Sequence, residues 1–204
     1  MNKYLSSINK TDESQIVKDL LIQAENLNTP IISEEGINML IQLIKLMKAE
    51  TVLEIGSAIG YSAIRIALAT EAKIVTIEKD SASYQLAVDN IAKCRMTERI
   101  TILNQDALDV ELNQKFDLLF IDAAKSQYLR FLEHFKDNLV SGSVVVCDNL
   151  LFHGMVENPD STRSKRTKDL VKKIAKFNQE LINHPDFETY IYEIGDGLSI
   201  SIRK

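Results

Sequence analysis

The sequence predicts a doubly wound α/β fold: a mostly parallel seven-stranded sheet with helices on both faces, an antiparallel C-terminal hairpin and extra N-terminal helices. Three observations carry this. Short apolar runs alternate with amphipathic helical patterns from residue 51 to residue 183, the order that winds into a parallel sheet. The runs are mostly continuous rather than alternating, as strands covered on both faces require. The end differs: 187–193, the turn Gly195-Asp196-Gly197 and 198–202 read as strand, turn and strand.

Residues 12–27 and 33–48 have helical periodicity, with Asp12 and Ser33 as N-caps and Gln15 completing a capping box after Asp12. Asn28-Thr29-Pro30 separates them. Strands are expected at 51–55, 73–78, 99–103, 116–122 and 142–148. Helices are expected at 60–70, 81–94, 126–138 and 163–183. The 204 residues suit a single domain, 1–204, in which residues 1–48 are a helical extension.

Composition bounds the function. Hydrophobic content of 45% and charge of 26% are those of a soluble globular chain. A net charge of −5 argues against a surface that grips nucleic acid everywhere, while leaving a local patch open. Cys94 and Cys147 form no C-x-x-C and read as reduced, buried thiols. No apolar run approaches about 18–20 residues, so no membrane span is expected. The segment Met1-Asn2-Lys3-Tyr4-Leu5 lacks a signal-peptide core, which points to the cytoplasm.

The most informative stretch is Val52-Leu53-Glu54-Ile55-Gly56-Ser57-Ala58-Ile59-Gly60-Tyr61-Ser62. A strand passes through a glycine turn into a helix, where α/β sheets hold nucleotide-like ligands. A dinucleotide loop requires G-x-G-x-x-G. Counted from Gly56, its later glycine positions hold Ala58 and Tyr61. The spacing E-x-G-x-x-x-G suits an adenosyl ligand without a pyrophosphate, and S-adenosylmethionine is the obvious candidate.

Ligands of open α/β sheets sit outside the carboxyl ends of the strands. There the sequence places Glu78, Asp106, Asp122, Asp148 and Asn149, with Glu54 just behind. Glu78 follows Gly56 by 22 residues, near the offset at which an acid accepts from ribose hydroxyls. Asp106 can accept from an exocyclic amine, or simply cap a helix. Asp122, Asp148 and Asn149 offer three oxygen ligands to a hard cation such as Mg2+. Lys125, one turn past Asp122, is either its surface ion-pair partner or a general base.

Together, Glu54-Ile55-Gly56-Ser57-Ala58-Ile59-Gly60-Tyr61-Ser62, Phe120-Ile121-Asp122-Ala123-Ala124-Lys125, Cys147-Asp148-Asn149 and Gly195-Asp196-Gly197-Leu198 resemble the metal-dependent class I O-methyltransferases, the group of catechol and caffeoyl-coenzyme A O-methyltransferases. The resemblance covers residues 20–204. Within it, Pro30-Ile31-Ile32-Ser33-Glu34-Glu35-Gly36 and Gly60-Tyr61-Ser62-Ala63-Ile64-Arg65 are most similar to a bacterial branch that methylates 5-hydroxyuridine in tRNA. The resemblance implies a Rossmann-like methyltransferase sheet and a homodimer. It implies that Ile32 through its backbone, Glu54, Gly56, Ser62, Glu78, Asp106, Ala107 and Asp122 bind S-adenosylmethionine. It also implies that Asp122, Asp148 and Asn149 hold Mg2+ or another divalent cation, and that Lys125 with Asp122 is catalytic, Lys125 as the base. Gln105, Ser57-Ala58-Ile59 and Phe152 depart from the family's commoner glycine, Thr-Ala-Thr and tryptophan.

The acceptor is the open question. Seven basic residues, Arg163, Lys165, Arg166, Lys168, Lys172, Lys173 and Lys176, stand in one segment against a single acid, Asp169. Such a segment could meet RNA phosphates or be a solvated helix face. The expectation is a tRNA substrate, with a small catechol-like aromatic as the alternative. A non-catalytic adenosine- or RNA-binding module would have no use for Asp122, Lys125, Asp148 and Asn149 together.

Overall fold

In a computed structural model, Tyr4, Ile8, Asn9, Asp12 and residues 14–204 are described. The elements run α1 (Gln15–Asn26), α2 (Glu34–Met47), β1 (Thr51–Ile55), α3 (Tyr61–Ala69), β2 (Lys73–Glu78), α4 (Ser81–Lys93), β3 (Ile100–Asn104), β4 (Phe116–Ile121), α5 (Tyr128–Phe135), β5 (Leu139–Cys147), α6 (Lys165–Ile182), β6 (Phe187–Tyr192) and β7 (Leu198–Arg203). Strand order is β3-β2-β1-β4-β5-β7-β6. The first five are parallel, and β7 runs antiparallel to both β5 and β6.

The apolar strands alternate their side chains between two cores. Val52, Leu118, Phe120, Val144 and Val146 pack under α1 to α4. Leu53, Ile55, Leu119, Ile121 and Val145 pack under α5 and α6. Each central strand therefore needs apolar residues at consecutive positions. Glu54 is the exception, a carboxyl on the first face and 0% exposed.

Element ends shift by one to three residues from expectation, and two of the shifts have a clear local cause. Asp12 is not the cap of α1: Ser14 is, its side chain accepting from the Val17 N–H. Asp12 instead accepts from the Ser14 N–H at 2.9 Å, a local turn that outcompetes the expected box, and Gln15 bonds Asp19. β5 begins at Leu139, three residues before the expected start. Leu139 pairs with Phe116, and the register then shifts before Leu118 meets Val144. That excursion is turned at Gly142, at φ +87°. Ser33 does cap α2, accepting from the Gly36 N–H. Among the described residues, no helix is long and apolar enough to cross a membrane.

The strand order reverses between β1 and β4. There the chain leaves both strands at once, and a crevice opens between the departing loops.

Candidate active site

The crevice is a cavity of about 420 Å³ over the strand ends, within the usual range for small-ligand sites. Its walls include Ile32, Gly56, Ser62, Glu78, Asp106, Ala107, Asp122, Lys125 and Asn149. One fold thus gathers residues spread over more than half the sequence.

Gly56 is held by its N–H on the Ile77 carbonyl at 2.9 Å. Its φ is +95°, and a Cβ there would collide with the Asp122 carbonyl oxygen. Only glycine lets the β1 and β4 loops approach this closely. The turn continues through Ala58 at φ +47° and Gly60 at φ +82° into α3. The Glu78 carboxylate accepts from the Ala58 N–H at 2.9 Å and from the Asp80 N–H at 2.9 Å. It therefore fixes the turn while facing the cavity with its remaining lone pairs. Ser57 Oγ, at the cavity wall, is buried with no hydrogen-bond partner, a polar atom that a ligand can satisfy.

Glu54 does not line the cavity. It lies behind the wall, accepting from the Ser62 hydroxyl and from the Thr76 hydroxyl at 2.5 Å. Burial pushes its carboxyl up to about 7, although the Ser62 and Thr76 hydrogen bonds oppose this. Of its two hydrogen-bond partners, Ser62 is the one that lines the cavity. Asp106 caps the short 3₁₀ turn Ala107–Asp109 through the Leu108 N–H, and its other oxygen meets Lys79 Nζ at 3.2 Å. The helix-cap reading of Asp106 is thus present in the structure, and the residue still faces the cavity.

Asp122 and Asp148 end neighbouring strands. Asp148 is 3% exposed. Burial, and next the Asp122 charge, push its carboxyl up to about 7. Burial likewise raises Asp122, and Lys125 opposes the rise. Two desolvated carboxylates share one corner with Lys125 as the opposing cation. Asn149 follows in a left-handed conformation, φ +64°, its N–H donating to Asp148 Oδ1 at 2.7 Å. Among the described residues no three His, Cys, Asp or Glu side chains close on one point. The set here is two carboxylates and an amide, hard oxygen donors suited to a divalent cation whose charge would offset their repulsion.

Several neighbours were not legible in the sequence. Tyr61, Lys79, Gln105 and Phe131 line the cavity. Asp196 adds a third negative charge that raises Asp148. Its backbone carbonyl accepts from Leu151 N–H at 2.8 Å, and its carboxylate accepts from His153 N–H at 2.5 Å. Asp196 thereby clamps the loop after β5 to the C-terminal hairpin. Its Oδ2 is buried with no hydrogen-bond partner.

A second cavity, of about 670 Å³, opens beside the first and shares Ala123, Ala124 and Lys125 with it. Its far wall is α6, through Lys165, Arg166, Asp169 and Lys173. The other basic residues of that segment are engaged or turned elsewhere. Lys168 pairs with Asp160 at 2.9 Å and Lys176 with Glu180 at 3.5 Å, and Arg163 and Lys172 lie outside this wall.

The O-methyltransferase family model matches residues 7–204. Caffeoyl-CoA O-methyltransferase of Populus kitakamiensis is 31% identical over 186 residues, covering 83% of this chain and 76% of that protein. Tapetum-specific methyltransferase 1 of Arabidopsis thaliana is 31% identical over 169 residues, covering 79% of this chain and 72% of its own. A crystal structure of a Staphylococcus aureus protein, provisionally named a caffeoyl-CoA O-methyltransferase, superposes with a TM-score of 0.92. Its sequence is 33% identical, over 99% of this chain and 98% of that one. An O-methyltransferase from Bacillus cereus, solved with S-adenosylhomocysteine, shares the fold at a TM-score of 0.83 and 24% identity, over 98% and 96% of the two chains. With its seven-stranded sheet, its crevice at the β1/β4 reversal and a family match over nearly its whole length, this chain belongs to the O-methyltransferase family.

Proposed function

We propose that this protein transfers a methyl group from S-adenosylmethionine to a ring hydroxyl, with the help of a divalent cation, and that its acceptor is a 5-hydroxyuridine in tRNA. The observation that carries this is the junction of the two cavities. The adenosyl-type pocket and the basic groove meet at Ala123, Ala124 and Lys125, beside Asp122.

The pocket suits the methyl donor residue by residue. Glu78 offers acceptor lone pairs to ribose hydroxyls, and Asp106 and Ala107 border the place for the base. Gly56, the buried Ser57 hydroxyl and Ser62 face the amino-acid end, and residues 30–32 close the opposite wall. S-adenosylhomocysteine in the Bacillus cereus protein of the same fold supports S-adenosylmethionine as the donor. Ser62 gives its only proton to Glu54 in this structure. Toward a ligand it offers lone pairs, or a proton once Glu54 is itself protonated.

Asp122, Asp148 and Asn149 would hold the cation. Its chemistry when bound is to lower the pKa of an acceptor hydroxyl and to fix that oxygen in line with the donor methyl. Lys125 takes the hydroxyl proton, and the oxygen then displaces the methyl from sulfur in one step. General-base help of this kind is typically worth about 10²–10⁴-fold in rate. No covalent enzyme intermediate is required. Cys147 is unsuited to forming one: it is buried, and burial pushes its thiol up to about 12.

The basic wall favours the nucleic-acid acceptor over a small catechol. Lys165, Arg166 and Lys173 face the groove beside the proposed base, where a polyanion's phosphates would pass and a neutral catechol has no use for them. The decisive experiment incubates purified protein with undermodified tRNA and labelled S-adenosylmethionine, with and without EDTA, and digests the product to nucleosides for mass spectrometry. Methylated 5-hydroxyuridine that disappears with EDTA is expected. Methylation of a catechol with none on tRNA would reverse the choice of acceptor.

We also propose that two copies pair through the N-terminal helices. Leu20 and Leu40 pack inward, so the pairing surface would be Ile16, Leu21, Ile22 and Leu46, which stay exposed. Sedimentation at micromolar concentration decides between a 23 kDa particle and twice that mass.

A further inference from the structure

Arg65, on α3, is 2% exposed although it is charged. Its guanidinium donates to Glu34 through Nη1 at 2.9 Å and Nη2 at 3.1 Å, a two-pronged pair. Nη1 also donates to the Tyr61 hydroxyl at 2.6 Å, and Nη2 to Asn38 Oδ1 at 3.3 Å. The Tyr61 hydroxyl in turn reaches Glu34 at 3.4 Å. The Arg65 charge also reaches Asp12, before α1, where it adds to the Ser14 hydrogen bonds that lower that carboxyl against burial. One buried cation therefore ties α2 to the helix that follows the glycine turn.

What these partners hold is the pocket. Glu34 is the first residue of α2 and follows the wall formed by residues 30–32. Tyr61 is the first residue of α3 and itself lines the cavity. Ile32 and Tyr61 thus belong to walls that share no strand ladder. A planar fork bonded to both sides fixes their relative position more tightly than apolar contact alone. Desolvating a charge offsets much of what its pairing gains, so the network acts chiefly as a geometric device.

We propose that Arg65 is a positioning residue for the methyl donor: through Glu34 and Tyr61 it sets the width of the pocket between residues 30–32 and the start of α3. This rests on the donor occupying that cavity. Arg65 touches no reacting group, so its loss should appear in donor affinity and leave the chemical step alone.

The test compares wild type, Arg65→Met, Arg65→Lys and Leu181→Ala. Leu181 is fully buried on α6, in the opposite core, and supplies a destabilised control away from the pocket. S-adenosylhomocysteine binding is measured by calorimetry, melting temperature by scanning calorimetry, and kcat at saturating donor. The expected result is a Kd raised at least about tenfold in Arg65→Met. Arg65→Lys should fall between, since an ammonium keeps the charge and loses the fork. The kcat at saturation should stay within about threefold of wild type, and Leu181→Ala should lose melting temperature with Kd unchanged. Equal Kd in wild type and Arg65→Met overturns the proposal. So does a Kd that follows melting temperature alike in Arg65→Met and Leu181→Ala. Wild type that binds no S-adenosylhomocysteine sinks the assignment of the cavity instead, and that outcome is visible before any variant is made.

Discussion

Replacing Glu54 with glutamine should make the protein less sensitive to rising pH. Glu54 is fully buried, and its carboxyl is raised from 4.5 to about 7. Between those values the folded state holds a proton that the unfolded chain has released, so stability falls as pH rises. The contribution is fully present below about pH 4.5 and is lost as pH passes 7. A shift of this size corresponds to about 3 kcal/mol at 1.36 kcal/mol per pH unit. Glutamine has the same shape and no charge. Its carbonyl can accept from one of Ser62 and Thr76 and its amide can donate to the other, whose hydroxyl turns. Urea unfolding of wild type and Glu54→Gln from pH 4.5 to 8.5 reads the effect: Asp148, also raised by burial, is common to both proteins, and Asp122, whose charge helps raise Glu54, adds a smaller change of the same origin. The variant's advantage should grow from near zero at the acid end to about 3 kcal/mol at the alkaline end. Parallel curves would show that Glu54 is ionised in the fold at little cost, and the argument from burial would be wrong.

Asp148→Ala should abolish methyl transfer while donor affinity stays near wild type. Asp122→Ala should abolish it too and also weaken the donor, because Asp122 lines the donor cavity and Asp148 does not; turnover by either variant in EDTA would refute the cation's role. Glu78→Ala should cost about 1.5–3 kcal/mol of donor binding by calorimetry, the loss of hydrogen bonds to a charged acceptor. An unchanged Kd would leave Glu78 as a brace for the Ala58 and Asp80 N–H groups alone. The Lys165→Glu, Arg166→Glu double reversal should raise KM for tRNA and flatten its salt dependence, by about 0.7–0.9 in log–log slope for each phosphate no longer neutralised. Donor binding should not change, and tRNA kinetics identical to wild type across a salt series would make the α6 wall a solvated face.

The parallel sheet was legible because burial on two faces forces consecutive apolar residues. Positions such as Leu118-Leu119-Phe120-Ile121 can be read no other way once each alternates between two cores. The acidic rim was legible for a related reason: Glu78, Asp122 and Asp148 each stand at or just past the end of an apolar run. Boundaries fared worse where local hydrogen bonding decides them. The Asp12 turn displaces the cap to Ser14, and the Gly142 excursion hides the true start of β5. Asp196 was legible as a turn residue and not as a neighbour of Asp148. Its position depends on the pairing of β7 with β5, a contact between elements separated by the whole of α6. Arg65 read as one polar residue in a helix; its burial needs Glu34 from α2 above it.

The charge layout also explains how an acidic protein could handle a polyanion. Asp122, Asp148 and Asp196 gather negative charge at one corner of the cavity junction, and alone they would repel a phosphate chain. Lys125 shares that corner, and Lys165, Arg166 and Lys173 stand across the groove. A divalent cation on Asp122, Asp148 and Asn149 would cancel the two carboxylates and leave the local field positive. The same cation that activates an acceptor hydroxyl would then make the groove hospitable to the backbone carrying it. A small neutral acceptor gains only the first effect, since it brings no charge for the α6 wall to attract. On this electrostatic ground we propose that the Asp122–Asp148 corner and the basic helix serve one acceptor site, and the net charge of −5 is no argument against RNA.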